Sequence, residues 1–173
     1  MLAWFLVLFL FGALSFGAAA QETLLGSLNT ELQFTNRLER LLVVKLAENK
    51  ISERLKAIFD DPVTKREGPL WGLKVASYSY GMLTLLIEEQ YPEVAHVYRE
   101  RAEMFSDVIR GKLPLEAIVA LERANETKKM AVFEKEFMNL KTTSARGKSL
   151  FELGARLGDK ISAHAKILSS RDK

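Results

Sequence analysis

The chain contains no cysteine. That excludes disulfides, thiolate nucleophiles and every cysteine-ligated zinc site. Histidine is nearly as scarce, with only His96 and His164. Two imidazoles and no thiol leave little for nucleophilic catalysis. No serine stands in the Gly-x-Ser-x-Gly turn of a nucleophile elbow. Proline is rare, four residues in 173, so there are few places where a helix is forced to stop. An excess of one charge is also missing. Lys and Arg number 25 against 22 Asp and Glu, a net +3 with no basic block, which is too mild to argue for nucleic acid.

The first twenty residues, Met1 to Ala20, carry no charged side chain. Leu2 to Phe11 is almost solid Leu, Phe, Val and Trp, and Ala18-Ala19-Ala20 offers the small residues a signal peptidase accepts. Residues 1–20 therefore read as a signal peptide, cleaved before Gln21. The alternative is an uncleaved anchor, since about 18 apolar residues just span a bilayer. The remaining domain, residues 21–173, is expected to be secreted or periplasmic, or membrane-anchored and facing outward.

What the chain does have is helical periodicity. Leu70 to Ile87 carries a single charge, Lys74. An element apolar nearly all round is buried on several sides, so this stretch predicts a central helix, running from about Leu70 to Gln90, that the others cover. Thr23 to Phe59 reads as one long helix, with Leu24, Leu28, Leu32, Thr35, Leu38, Leu42 and Leu46 recurring at steps of three or four. Asp60-Asp61-Pro62 ends it, and residues 61–69 read as a polar loop. Tyr91-Pro92-Glu93 restarts the chain as a helix, with Pro at its first position. Val94, Val97, Tyr98, Arg101, Phe105 and Val108 form one face of it, and Gly111 closes it. Another helix is expected from Leu115 to about Lys141. Its middle, Glu122 to Lys129, is polar on nearly every side and is expected to face solvent or a partner. Residues 142–148 read as a loop. Ser149-x-x-Glu152 then reads as a capping box opening a last helix striped by Leu150, Leu153, Leu157, Ile161, His164 and Leu168. The fold class is thus all-α, a bundle of four to five helices in one domain.

Small residues recur at a spacing of four: Gly72 with Ala76, Ser77 with Gly81, Gly154 with Gly158. These six are candidate helix-contact positions, because a missing or small side chain lets another backbone come close. Arg146-Gly147-Lys148-Ser149 resembles the end of a phosphate-binding loop. That pattern needs a glycine where this chain has Thr142, and a preceding strand. Glu93-x-x-His96 is half of a bundle-type metal motif, with no second half at His164. No catalytic, cofactor or metal residues are assigned, and no cofactor is expected. Asn125-Glu126-Thr127 is a glycosylation sequon, with Asn125 its acceptor.

With no catalytic set, the expected function is that of an exported, non-enzymatic protein acting through protein–protein binding or self-association. The alternative is a carrier of a lipid or other apolar ligand, because the central helix is unusually rich in apolar residues.

Overall fold

The apolar run at residues 70–87 forms the helix that most of the others touch. The computed structural model describes residues 15–138 and 144–170. Seven helices lie among them: α1 Ser15–Leu32, α2 Arg37–Asp60, α3 Pro62–Glu67, α4 Leu70–Ile87, α5 Pro92–Ile109, α6 Ala117–Phe137 and α7 Ser144–Ser170. Among the described residues the chain is all-helical, with no strand. Helix α4 packs on α1, α2, α5 and α7. Thirteen of its 18 residues are buried, Tyr80, Met82 and Leu83 almost completely. Each such apolar side chain contributes about 1.5–3 kcal/mol by leaving water. Helix α2 lies along α7, and α6 packs on α5.

Three expectations are corrected. The long first helix is two helices. Asn36 accepts a hydrogen bond from the Glu39 amide at 2.9 Å, and Glu39 accepts one from the Asn36 amide at 3.0 Å. This reciprocal capping box restarts the chain as α2 after a break at residues 33–36. The polar loop at 61–69 contains α3, capped by Asp61 and begun by Pro62. With these two additions, the helices among the described residues number seven rather than four to five.

The third correction is at the start of α7. Residues 144–149 are helical rather than a loop, so Ser149 is not a cap. Arg146 explains the extra turns. Its guanidinium grips both oxygens of Glu39 at 2.7 Å and donates to the Phe34 carbonyl at 3.2 Å. The bidentate geometry is the strong form of an ion pair, and it pins the start of α7 to the start of α2. The same hydrogen bonds from Arg146 and the Asn36 amide pull the Glu39 carboxyl down to about 2.

Helix α1 runs without interruption through Ala20 and Gln21. Its core contacts come later, from Leu24, Leu28 and Leu32, and Glu31 accepts from Arg156 and Lys160 of α7. Burial works to raise the Glu31 pKa, but those two cations outweigh it and hold it low. Residues 1–14 lie outside the described residues, and with them most of the expected leader. No helix among the described residues is long and apolar enough to cross a membrane.

Candidate functional site

The least expected feature is a ring of charge between α2, α5 and α6, buried at Glu48 and Lys129 and open to solvent at Glu122 and Glu126. Glu48 of α2 is 1% exposed. It occupies the stripe Leu41, Val44, Ile51, Leu55 that faces the core. Lys45 donates to Glu48 Oε2 at 2.8 Å, and the Tyr98 hydroxyl donates to the same oxygen at 3.1 Å. Lys129, reaching in from α6, donates to Glu48 Oε1. Arg101 of α5 lies 3.8 Å from that oxygen. It also bonds Glu126 at 3.0 Å and Glu122 at 3.2 Å. Lys129 closes the ring onto Glu126 at 2.6 Å.

Three carboxylates thus face three cations, and the ring is neutral as a whole. Its floor is aromatic. The Arg101 guanidinium lies 4.8 Å from the Tyr80 ring centroid, and Tyr98 meets Phe133 edge-on at 6.1 Å. Burial pushes the Tyr80 hydroxyl up to about 12, and burial together with Glu48 holds Tyr98 well above its ordinary value. At Glu126, burial acts to raise the pKa, but Lys129 and Arg101 outweigh it. Arg101 Nε and Asn125 Oδ1 are buried with no partner among the described residues, which adds to the cost of enclosing the ring.

This ring reorders α6. Its buried residues are Ile118, Asn125, Lys129 and Phe133. Val119, Leu121, Met130 and Met138 are exposed instead, Met130 at 53% and Met138 at 81%. The polar middle of α6 is therefore not simply a solvated face: Asn125 and Lys129 point inward. The sequon nitrogen is committed too, because Asn125 Nδ2 donates to the Val97 carbonyl at 2.9 Å. A glycan on that nitrogen requires the buried side chain to leave the interior.

The six candidate contact residues fall in two places. Gly154 and Gly158 of α7 lie on the backbone of α2. A Cβ on Gly154 would meet the Leu46 side chain, with the Val43 carbonyl oxygen at 3.0 Å; one on Gly158 would stand 2.6 Å from the Ala47 carbonyl oxygen. In α4, a Cβ on Gly72 would stand 2.6 Å from the Phe59 ring. Ala76 is fully buried, Ser77 donates to the Ala102 carbonyl at 2.9 Å, and Gly81 is half-buried.

The histidines part company. His96 is exposed, 3.4 Å from Glu100, while Glu93 faces Lys135 at 3.7 Å. Among the described residues no group of three or more His, Asp or Glu could hold a metal. His164 Nδ1 lies 2.8 Å from the Tyr78 hydroxyl. Burial raises the Tyr78 pKa, so that hydroxyl keeps its proton. It can donate to a neutral imidazole or accept from a charged one, and the bond survives either state of His164.

Sequence reasoning placed Arg101 on the inner face of α5 but gave it no partner. Glu48 was missed, although Leu41, Val44, Glu48, Ile51 and Leu55 follow steps of three and four. A lone carboxylate inside such a stripe was the available signal. No protein family, curated protein or solved structure matches this chain.

Proposed function

We propose that this protein works by binding another protein rather than by catalysis, and that α6 is the helix through which it binds. One observation carries the reading: α6 commits the middle of its buried face to the polar Asn125 and Lys129, between the buried Ile118 and Phe133, while Val119, Leu121 and Met130 face outward. A scattered exposed hydrophobic residue is ordinary. A helix that buries Asn125 and Lys129 beside Ile118 and Phe133, and leaves Val119, Met130 and, just past its end, Met138 outside, offers apolar surface to a partner. The ring itself favours a structural role. Its charges are balanced among themselves, with Glu48 and Lys129 enclosed and Glu122 and Glu126 at the surface already paired inward. The uncharged stretch Met1–Ala20 is the reason to place the partner outside the cytosol.

The test is a photo-crosslinking amino acid at Met130 in the full chain, expressed in its own host, with Glu53 on exposed α2 surface as the control. A discrete adduct from Met130, absent at Glu53 and abolished by Val119→Glu, is the expected result. No adduct, or the same adducts from both positions, sinks the reading. Native mass spectrometry of the same material separates the alternative. Bound lipid retained under gentle ionisation would favour an apolar-ligand carrier.

A further inference from the structure

Resting on that reading, we infer that the partner of α6 is a second copy of this chain, docked antiparallel along the same helix. The outward face of α6 is made of Val119, Ala120, Arg123, Ala124, Thr127, Met130, Ala131, Glu134 and, just past its end, Met138; all nine are exposed. Three pairs on that face share one midpoint, between Lys128 and Lys129. They are Val119 with Met138, Arg123 with Glu134, and Thr127 with Met130.

A two-fold axis through that midpoint sets Arg123 of each copy against Glu134 of the other. It does so twice, and no like charges are brought together along the centre of the face. Such an isologous contact needs a self-complementary surface, and this one has it. Neither Arg123 nor Glu134 is in an ion pair among the described residues, whereas Lys128 and Lys135 are already paired with Glu100 and Glu93. The two central charges are therefore available to a second copy.

Ala120, Ala124 and Ala131 keep the face low, so a second helix can come close. The apolar residues lie at its middle and ends, where they exclude water from the two ion pairs. One helix face is smaller than the roughly 800 Å² per partner of a stable complex. The dimer is accordingly expected to be reversible, with a dissociation constant on the order of 10 μM.

Sedimentation of the purified full chain up to about 100 μM tests this. The wild-type chain should pass from monomer to dimer across that range. Arg123→Glu and Glu134→Arg, each exposed and each checked for helix content, should weaken the dimer by about tenfold or more, since each loses two pairs and creates two like-charge contacts. Combined in one chain, the two changes should restore it. Ala124→Glu leaves both charges intact and should weaken the dimer as well.

A wild-type chain that stays monomeric overturns the inference. So does a dimer indifferent to the single changes, or one that the combined change does not restore. The two levels remain separable. A monomer whose Met130 adduct contains a foreign protein removes the second copy and leaves the binding helix in place. A monomer with no Met130 adduct removes both.

Discussion

Glu48 is the residue on which the interior of this protein depends. Enclosing a carboxylate costs several kcal/mol, and the cost is offset only while its partners remain. Glu48→Gln leaves Lys45, Lys129 and Arg101 crowded with one counter-charge fewer. Urea unfolding should show a loss of about 3–5 kcal/mol, the range for a buried pair deprived of one member. A surface change such as Glu53→Gln should stay within about 0.5 kcal/mol. A Glu48→Gln loss no larger than the surface change would mean that the ring is wetter than its burial implies. Here the sequence was legible only in part. It placed Arg101 among apolar neighbours in α5, yet it could not say that Lys129, about eighty residues beyond Glu48 in the chain, would arrive to pair with that carboxylate. Long-range pairing leaves no local pattern, only the anomaly of a charge in a stripe.

Among the helices, the glycines give opposite expectations from one substitution. Glycine costs a helix about 1 kcal/mol relative to alanine. At Gly26 a Cβ would meet nothing within 4 Å, so Gly26→Ala should raise stability by about that amount. At Gly158 the Cβ would stand 2.6 Å from a backbone oxygen of α2. Backbone cannot swing aside, and overpacking costs about 1–3 kcal/mol, enough to cancel or reverse the propensity gain. Gly158→Ala should therefore lower the melting temperature while Gly26→Ala raises it. Equal shifts in the two variants would remove the close contact between α2 and α7. In the sequence Gly154 and Gly158 show only their spacing of four, which does not say which helix they would meet. The break at Asn36 was harder to see. Thr35 stands midway between Leu32 and Leu38 and carries steps of three across it, and Asn36-x-x-Glu39 differs from the more familiar Ser-x-x-Glu box by one residue type. At the start of α7 the same rule misled, because a clasp by Arg146 outweighed the local cap at Ser149.

For the molecule as a whole, all four tyrosines share one property. Tyr78, Tyr80, Tyr91 and Tyr98 are each raised above the ordinary phenol value of 10.0, chiefly by burial. A group raised on folding stabilises the fold fully below its unfolded pKa and loses that contribution as pH rises through the folded one. Stability should therefore be intact up to about pH 10 and fall steeply toward 12. Ultraviolet absorbance should show little tyrosinate until the helical signal itself collapses. A smooth titration near pH 10 with helix content unchanged would show that these rings are open to water. The central helix α4 was the most legible element, since an apolar run of that length admits few other roles. The all-helical class followed from periodicity in the same way. The outward face of α6 was not legible, because helical period alone does not say which side of a nearly featureless helix the body will claim.

The contact between α2 and α7 sets a timetable for synthesis. Helix α2 is complete at Asp60, and α7 ends at Ser170. A ribosome adding roughly 5–20 residues per second needs between about 5 and 20 s to make the chain between them. Throughout that interval the groove on α2 that Gly154 and Gly158 will fill stands open to solvent. The nascent chain completes α2 well before it makes the helix that covers it.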